Sequence, residues 1–136
     1  MAASPKPHSK RPNDAPAAQA GPAGVVGVAH ARFVRGSTHK TREVARLVKA
    51  RPVAQALAIL ATANKRPAHT LSLIVRSATA NAMHRYPQLN EQSLRIARIL
   101  VNDGPMWKRF RAAAMGRATK IRKRTSHITV EIAATR

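Results

Sequence analysis

The chain lacks cysteine, has few acidic and few aromatic residues, and has no long apolar run. Without cysteine it forms neither a disulfide framework nor a thiolate metal site. No apolar stretch is long enough to cross a bilayer, so no membrane partner is expected. Only 5 Asp and Glu residues accompany 25 Lys and Arg residues, giving a formal net charge of +20 over 136 residues. These absences leave a strongly cationic chain of one small domain.

Such a chain repels itself, and a polyanion relieves that repulsion, so nucleic acid is the expected partner. Binding that depends mainly on stacking bases against aromatic rings is disfavoured, because the aromatic set consists only of Phe33, Tyr86, Trp107 and Phe110. We therefore expect the partner to be held through its phosphates and its shape.

Catalytic and metal-binding patterns are missing. The acidic residues are scattered without a recognisable pair, and the six histidines show no metal-binding spacing. Ser126 has no base and orienting acid at a recognised spacing. His127, its neighbour, is predicted either to pack on a strand or to hydrogen-bond RNA. We expect no enzyme activity, no cofactor and no metal site.

The first 28 residues are predicted to be a disordered, basic tail rich in Pro and Ala, and residues 29–136 to form the folded domain. Gly21, Gly24 and Gly27 are interpreted as a linker, since no strand precedes them as a phosphate loop requires. No secretory signal is present, and the prolines disfavour a helical organellar transit peptide.

The folded part is predicted to be α+β, with three helices packed on a small antiparallel three-stranded sheet. Residues 29–36 resemble an edge strand, and the Ser37 hydroxyl is placed to cap a helix ending near Lys49. Pro52 and Pro67 are placed to open two further helices. Strands at residues 94–101 and 128–132 are predicted to pair. The expected inward-facing helix residues are Val44, Leu47, Val48, Val53, Ala56, Leu57, Leu60, Ala61, Leu71, Ile74, Val75, Ala78 and Ala82.

Between the last two strands, residues 104–124 contain no acid, and the surrounding residues 100–126 are predicted to form a long, extended basic β-hairpin. Arms of roughly ten residues would reach about 30 Å beyond the domain. A self-repelling ribbon of this kind is marginal in water, so we expect surrounding RNA to order it. The alternative is a solvated, disordered basic loop. The basic residues of this segment are Lys108, Arg109, Arg111, Arg117, Lys120, Arg122, Lys123 and Arg124.

Several blocks of sequence closely resemble the bacterial large-subunit ribosomal protein number twenty-two family. The most specific block is Lys-Arg-Thr-Ser-His-Ile-Thr-Val at residues 123–130, preceded by Gly-Pro at 104–105, Lys-Arg at 108–109 and Gly-Arg-Ala at 116–118. Upstream blocks follow in the same order at residues 35–42, 55–57 and 77–82. The resemblance covers about residues 29–132.

The resemblance implies a non-catalytic protein of cytoplasmic ribosomes, with an organellar ribosome also compatible. Its partners would be large-subunit rRNA of the 23S type, neighbouring large-subunit proteins and, in the exit tunnel, the nascent peptide; it would assist early assembly and not form a homo-oligomer. Contacts to rRNA are implied for Arg32, Arg35, Lys40, Arg42, Lys108, Arg109, Arg111, Arg117, Lys120, Arg122, Lys123, Arg124 and His127. The implied tunnel tip comprises Lys108, Arg109, Phe110, Arg111, Ala112, Ala113, Ala114, Met115, Gly116 and Arg117.

The chain departs from the family pattern in places. Thr38 stands where the family usually has a proline. Ala112 and Ala113 stand where it usually has a Pro-Arg pair, and Lys49-Ala50 replaces an Arg-Gly. The second hypothesis is a free nucleic-acid chaperone or a histone-like DNA binder, because the high positive charge would also drive binding to nucleic acid outside the ribosome. A third hypothesis, an acid- or membrane-binding module, lacks the basic amphipathic helix it needs.

Overall fold

The computed structural model describes residues 24–135 as an α+β domain with a projecting ribbon. In chain order, its strands and helices are β1 (Val25–Arg35), α1 (Thr38–Val48), α2 (Val53–Thr62), α3 (Arg66–Arg85), β2 (Leu94–Asp103), β3 (Trp107–Ala112), β4 (Ala118–Lys123) and β5 (Thr125–Ala134). A short 3-10 turn, Glu91–Ser93, precedes β2. Most of the predicted tail, residues 1–23, lies outside the described residues.

The three-stranded sheet has the order β1-β5-β2, and both outer strands run antiparallel to β5. Along β5 the residues Ser126, Ile128, Val130 and Ile132 are buried, while the residues between them are half-buried. Because side chains alternate along a strand, one sheet face lies on the helices and the other is free of them. The predicted fold class is confirmed: three helices pack on a small antiparallel sheet.

The helices bury the predicted apolar faces with a few corrections. All five inward positions predicted for α3 are buried, as are Val44 and Val48 in α1. Leu47 is 50% exposed, since α1 turns Ala45 rather than Leu47 toward the core. Ala61 of α2 is also exposed.

The start of α1 differs from the prediction in its hydrogen bonds. Ser37 occupies the N-cap position, but its hydroxyl makes no capping bond. Instead the Thr41 hydroxyl donates to the Ser37 carbonyl at 3.0 Å. The predicted side-chain cap is therefore wrong, although the helix begins where it was predicted to begin.

Strand β1 begins at Val25, four residues before the predicted boundary, and it includes Gly27. Gly27 is buried against α3, and a Cβ there would lie 2.5 Å from the Ala78 carbonyl oxygen and 2.6 Å from the Ala82 Cβ. The linker interpretation of Gly27 is wrong, because the missing side chain lets the strand approach the helix closely. Asn81 fixes the same contact by donating its amide to the Val28 carbonyl at 2.9 Å.

The hairpin is not a continuous extension of the main sheet. The ladder between β2 and β5 ends at the pair Asp103 and Ser126, and a separate two-stranded ladder begins at Trp107 and Lys123. Pro105 interrupts the first arm, since it has no N–H to donate to a ladder. Each ribbon strand holds six residues, about 20 Å of ladder.

Candidate nucleic-acid interface

The ribbon formed by β3 and β4 concentrates positive charge along both of its faces. Lys108 stands directly opposite Arg122, and Phe110 stands opposite Lys120. Like charges across a ladder destabilise it, and nearly every side chain of these strands is exposed. The geometry therefore presents cations to a partner instead of packing them against the protein.

None of these ribbon cations has a carboxylate partner within the described chain. The ion pairs found in residues 24–135 join His39 and Lys65 to Glu43, Arg42 to Asp103, and Arg98 to Glu131. Residues 104–124 take part in none of them. Phosphate groups are the natural counterions for such an array, because each contact releases a condensed cation from the nucleic acid.

The end of the ribbon is a short turn between Ala112 and Ala118. Met115 and Gly116 both have positive φ, at 58° and 66°, and the Ala113 N–H donates to the Arg117 carbonyl at 2.8 Å. Met115 is 94% exposed. The turn is thus short, and the Met115 side chain at its end is exposed to solvent.

Two residues assigned to the tip lie lower on the ribbon. Lys108 pairs with Arg122 and Arg109 pairs with Ile121, so both lie on the shaft near the body. Arg111, three pairs further from the body than Lys108, is close to the turn. The spacing in sequence did not show where the ladder would begin, because that depends on the break at Pro105.

A basic cleft lies where the ribbon joins the body. Arg35, at the end of β1, and Arg66, at the start of α3, line it together with Arg122, Lys123 and Arg124, and its volume is about 470 Å³. The cleft brings together three parts of the chain that are far apart in sequence. Four of its residues, Arg35, Arg122, Lys123 and Arg124, are among the predicted RNA-binding residues.

Arg66 was not among the predicted binding residues. It also lines an adjoining cavity of about 460 Å³ that includes Lys40 and the N-terminal end of α1. One feature of the sequence could have indicated that Arg66 binds RNA: it is a basic residue directly before Pro67, at a helix start. Nothing in the sequence alone brings that helix start beside the ribbon root.

Arg42 has a structural use in this domain. Its Nε and Nη2 both donate to the Val101 carbonyl, at 3.0 and 2.9 Å, and Nη2 lies 3.6 Å from the Asp103 carboxylate. These contacts fasten α1 to β2. Arg42 therefore lies outside the basic cleft, although part of its side chain remains exposed.

Asp103 stands beside this anchor at the end of β2. The Thr38 hydroxyl donates to its carboxylate at 2.6 Å. That hydrogen bond, with the nearby charges of Arg42 and Arg124, holds the pKa of Asp103 below its usual value despite an opposing effect of desolvation. The carboxylate stays ionised and connects the start of α1 to the strand that leads into the ribbon.

The other paired carboxylates are likewise neutralised by cations. The Lys65 ammonium donates to Glu43 at 2.8 Å and lowers the pKa of Glu43. Arg98 makes two bonds to Glu131, at 2.7 and 3.1 Å, which raise the pKa of Arg98. Little uncompensated negative charge is therefore left on the described surface to repel a polyanion.

Arg32 and His127 lie on the helix-free face of the sheet. Arg32 is exposed, and the His127 Nδ1 accepts the Phe33 backbone N–H at 3.1 Å. This bond agrees with the strand-packing interpretation of His127. It also assigns the ring hydrogen of a neutral His127 to Nε2.

Two other kinds of site are absent from residues 24–135. No group of three or more His, Asp or Glu residues there is arranged to hold a metal ion. No helix in that range has the combined length and apolar content needed to cross a membrane.

Comparison with known proteins gives one consistent family. Residues 29–133 match the family described as ribosomal protein L22p/L17e. Three similar proteins are each named "Large ribosomal subunit protein uL22". The protein from Nitratidesulfovibrio vulgaris (strain DSM 19637 / Miyazaki F) is 47% identical over 105 residues, 77% of this chain and 93% of the relative. Those from Maridesulfovibrio salexigens and Desulfitobacterium hafniense (strain Y51) are 46% and 44% identical over 102 residues, 75% of this chain and 92% and 89% of the relatives.

Proposed function

Because this chain belongs to the ribosomal protein L22p/L17e family, we propose that its basic ribbon and the cleft at the ribbon root bind large-subunit rRNA. The chain is a structural constituent of the large ribosomal subunit and not an enzyme. Its location is accordingly the cytoplasmic ribosome. Its partners there are rRNA and neighbouring ribosomal proteins.

The observation that carries this proposal is the absence of any carboxylate partner for the ribbon cations within residues 24–135. An isolated two-stranded ribbon with facing like charges is poorly stable in water. Folded RNA supplies both the counter-charge and the packing that the ribbon lacks. Arginine suits such an environment, because its planar fork can bond two phosphate oxygens at once.

We further propose that the end of the ribbon lines the nascent-peptide exit tunnel. The support is its shape: the strands finish in the small residues Ala112 and Ala118, and the five-residue turn between them has two long side chains, Met115 and Arg117. A narrow, extended finger fits a confined passage. In this proposal the nascent peptide is a transient partner and the chain acts as a single copy, joining early in subunit assembly.

Co-sedimentation tests the proposed function. The full-length chain should remain with large subunits after a moderate salt wash, and reversing Arg122, Lys123 and Arg124 to Glu should abolish incorporation. Normal occupancy of this triple variant in purified subunits would contradict rRNA binding at the ribbon root. A free nucleic-acid chaperone, the second hypothesis, would redistribute to free RNA or DNA during the wash.

The tip is tested separately by shortening the turn between Phe110 and Gly116. We expect near-normal incorporation of that variant, with altered density at the tunnel wall in a map of the subunit. Loss of the variant from the particles would show that the turn anchors the protein instead.

A further inference from the structure

A bulge in β1 displays an aromatic ring on the helix-free face of the sheet. Ala31 pairs with Ile128 and Val34 pairs with Ser126, so Arg32 and Phe33 together stand opposite the single residue His127. Without the extra residue, strand alternation would direct Phe33 to the same face as Ala29 and Ala31, toward the helices. The bulge instead leaves Phe33 61% exposed.

The backbone at this point adopts a conformation that is costly for a phenylalanine. Phe33 has φ of 56°, in the left-handed region that non-glycine residues rarely occupy. The Phe33 N–H is held there by His127 Nδ1, and the two rings meet edge to face with centroids 4.8 Å apart. Strain of this kind persists where surrounding contacts impose it, and it is concentrated at ligand-binding positions.

The surface around Phe33 offers complementary polar groups. A cavity of about 270 Å³ is lined by Phe33, Arg32, His30, Asn102 and Thr129. This volume is slightly below the usual range of pockets for drug-sized molecules, so it suits a smaller planar group. Arg32 supplies a cation beside it, and the Asn102 amide can both donate and accept hydrogen bonds.

Negative charge is compensated on this face. Residues 127, 129 and 131 of β5 lie on the helix-free face, and only Glu131 among them is acidic. Arg98 donates two hydrogen bonds to the Glu131 carboxylate. The His30 imidazole and the Thr129 hydroxyl are joined at 3.0 Å. The pocket lining contains no carboxylate, and Arg32 is its one Lys or Arg residue. An anionic ligand with an apolar planar part therefore fits better than a second basic protein surface.

From these observations we propose that the pocket around Phe33 binds one unpaired nucleotide of rRNA, with the base stacked on the Phe33 ring and the phosphate at Arg32. The proposal rests on the proposed rRNA-binding function but concerns a surface separate from the ribbon and its root. The few aromatic residues predicted that the partner is held only through its phosphates and its shape. The proposal adds one contact to a base.

Binding of full-length variants to deproteinised large-subunit rRNA tests the proposal. Phe33→Ala should weaken binding by about 5- to 100-fold, the range expected when one stacked base is lost. The slope of log K against log salt should stay unchanged, because a stacking contact releases no counterions. Phe33→Trp keeps a stacking surface and should bind within about twofold of wild type.

Two more variants separate this effect from misfolding. Phe33→Gly removes the ring and also relieves the positive φ, so it should fold at least as well as wild type and still bind weakly. Tyr86→Ala removes another partly exposed aromatic ring, at the end of α3, and should leave affinity unchanged. Unchanged affinity for Phe33→Ala and Phe33→Gly, or a loss accompanied by a smaller salt slope, would overturn the proposal.

Ultraviolet crosslinking in intact large subunits identifies the partner at this face. A crosslink between a peptide containing Phe33 and an unpaired rRNA nucleotide is expected. A crosslink to a neighbouring ribosomal protein, or none at this peptide, would overturn the base-binding role. The proposed function fails on a different result, namely absence of the wild-type chain from salt-washed large subunits.

Discussion

The guanidinium carbon of Arg35 lies 4.2 Å from the centroid of the Trp107 ring. Arg35 ends β1 and Trp107 begins β3, so this cation–π contact joins the body to the ribbon across the break in the ladder. Few other contacts cross that break. Gly36 donates its N–H to the Arg124 carbonyl at 3.2 Å, and Gly104 donates to the Thr125 carbonyl at 2.9 Å. The Thr125 hydroxyl donates to the Pro105 carbonyl. The direction of the ribbon thus depends on a small set of interactions at its root.

Trp107→Leu should loosen the ribbon without unfolding the domain. An exposed cation–π contact contributes about 0.5–1 kcal/mol, so the free energy of unfolding should change by no more than about that amount. Heteronuclear NOE values of β3 and β4 should fall while those of β5 stay constant. Phe110→Leu, also on the ribbon, is the matched control and should leave the ribbon root unaffected. Equal mobility in both variants would show that the Arg35 contact does not orient the ribbon.

Gly27→Ala should destabilise the domain because a Cβ at this position would overlap the Ala78 carbonyl and the Ala82 methyl group of α3. Overpacking of this kind costs about 1–3 kcal/mol in the free energy of unfolding, measurable by urea titration. Gly36→Ala is the control: a Cβ there meets nothing within 4 Å. A neutral Gly27→Ala variant would contradict the close strand–helix approach.

Ala50→Gly should stabilise the protein. Ala50 lies between α1 and α2 with φ of 62°, a conformation that costs a residue with a Cβ about 1–2 kcal/mol. Glycine should therefore raise the free energy of unfolding by about 1 kcal/mol in spite of its greater freedom in the unfolded chain. Ala63→Gly, at a residue with φ of −70°, should instead lower it. The same sign for both changes would rule out strain at Ala50.

Position 50 also shows which features of the protein could be predicted from its sequence and which could not. The resemblance indicated that Lys49-Ala50 replaces an Arg-Gly, but only the backbone shows that position 50 still needs a left-handed residue. The helices and paired strands were predictable, because the periodicity of residues such as Ile74, Ala78 and Ile128 directly reflects the face they bury. The bulge at Phe33 and the cleft at Arg66 were not, since each depends on how distant segments meet.

Asp103 should make stability depend on pH in the acid range. Its folded-state pKa is lowered mainly by the Thr38 hydroxyl. The resulting stabilisation is present above the pKa of an unfolded aspartate, about 3.9, and is lost as the pH falls through the lower folded-state value. Urea midpoints measured from pH 6 downward should fall more steeply for wild type than for Asp103→Asn. The control variant Glu91→Gln should show the same pH dependence of the urea midpoint as wild type. Identical pH dependence for wild type and Asp103→Asn would show that Asp103 does not link stability to pH.

Arg66→Gln should weaken rRNA binding, although no sequence motif singles this residue out. If the guanidinium meets one phosphate in the cleft it shares with Arg35 and Arg124, its loss should reduce the slope of log K against log salt by about 0.7–0.9. Titration of deproteinised large-subunit rRNA at several potassium chloride concentrations measures this slope. Arg85→Gln is the control, since it removes the same charge from the other end of α3, about 30 Å away. Equal slopes for Arg66→Gln and wild type would remove Arg66 from the interface, whereas equal losses for both variants would mean that binding depends on net charge rather than on the cleft.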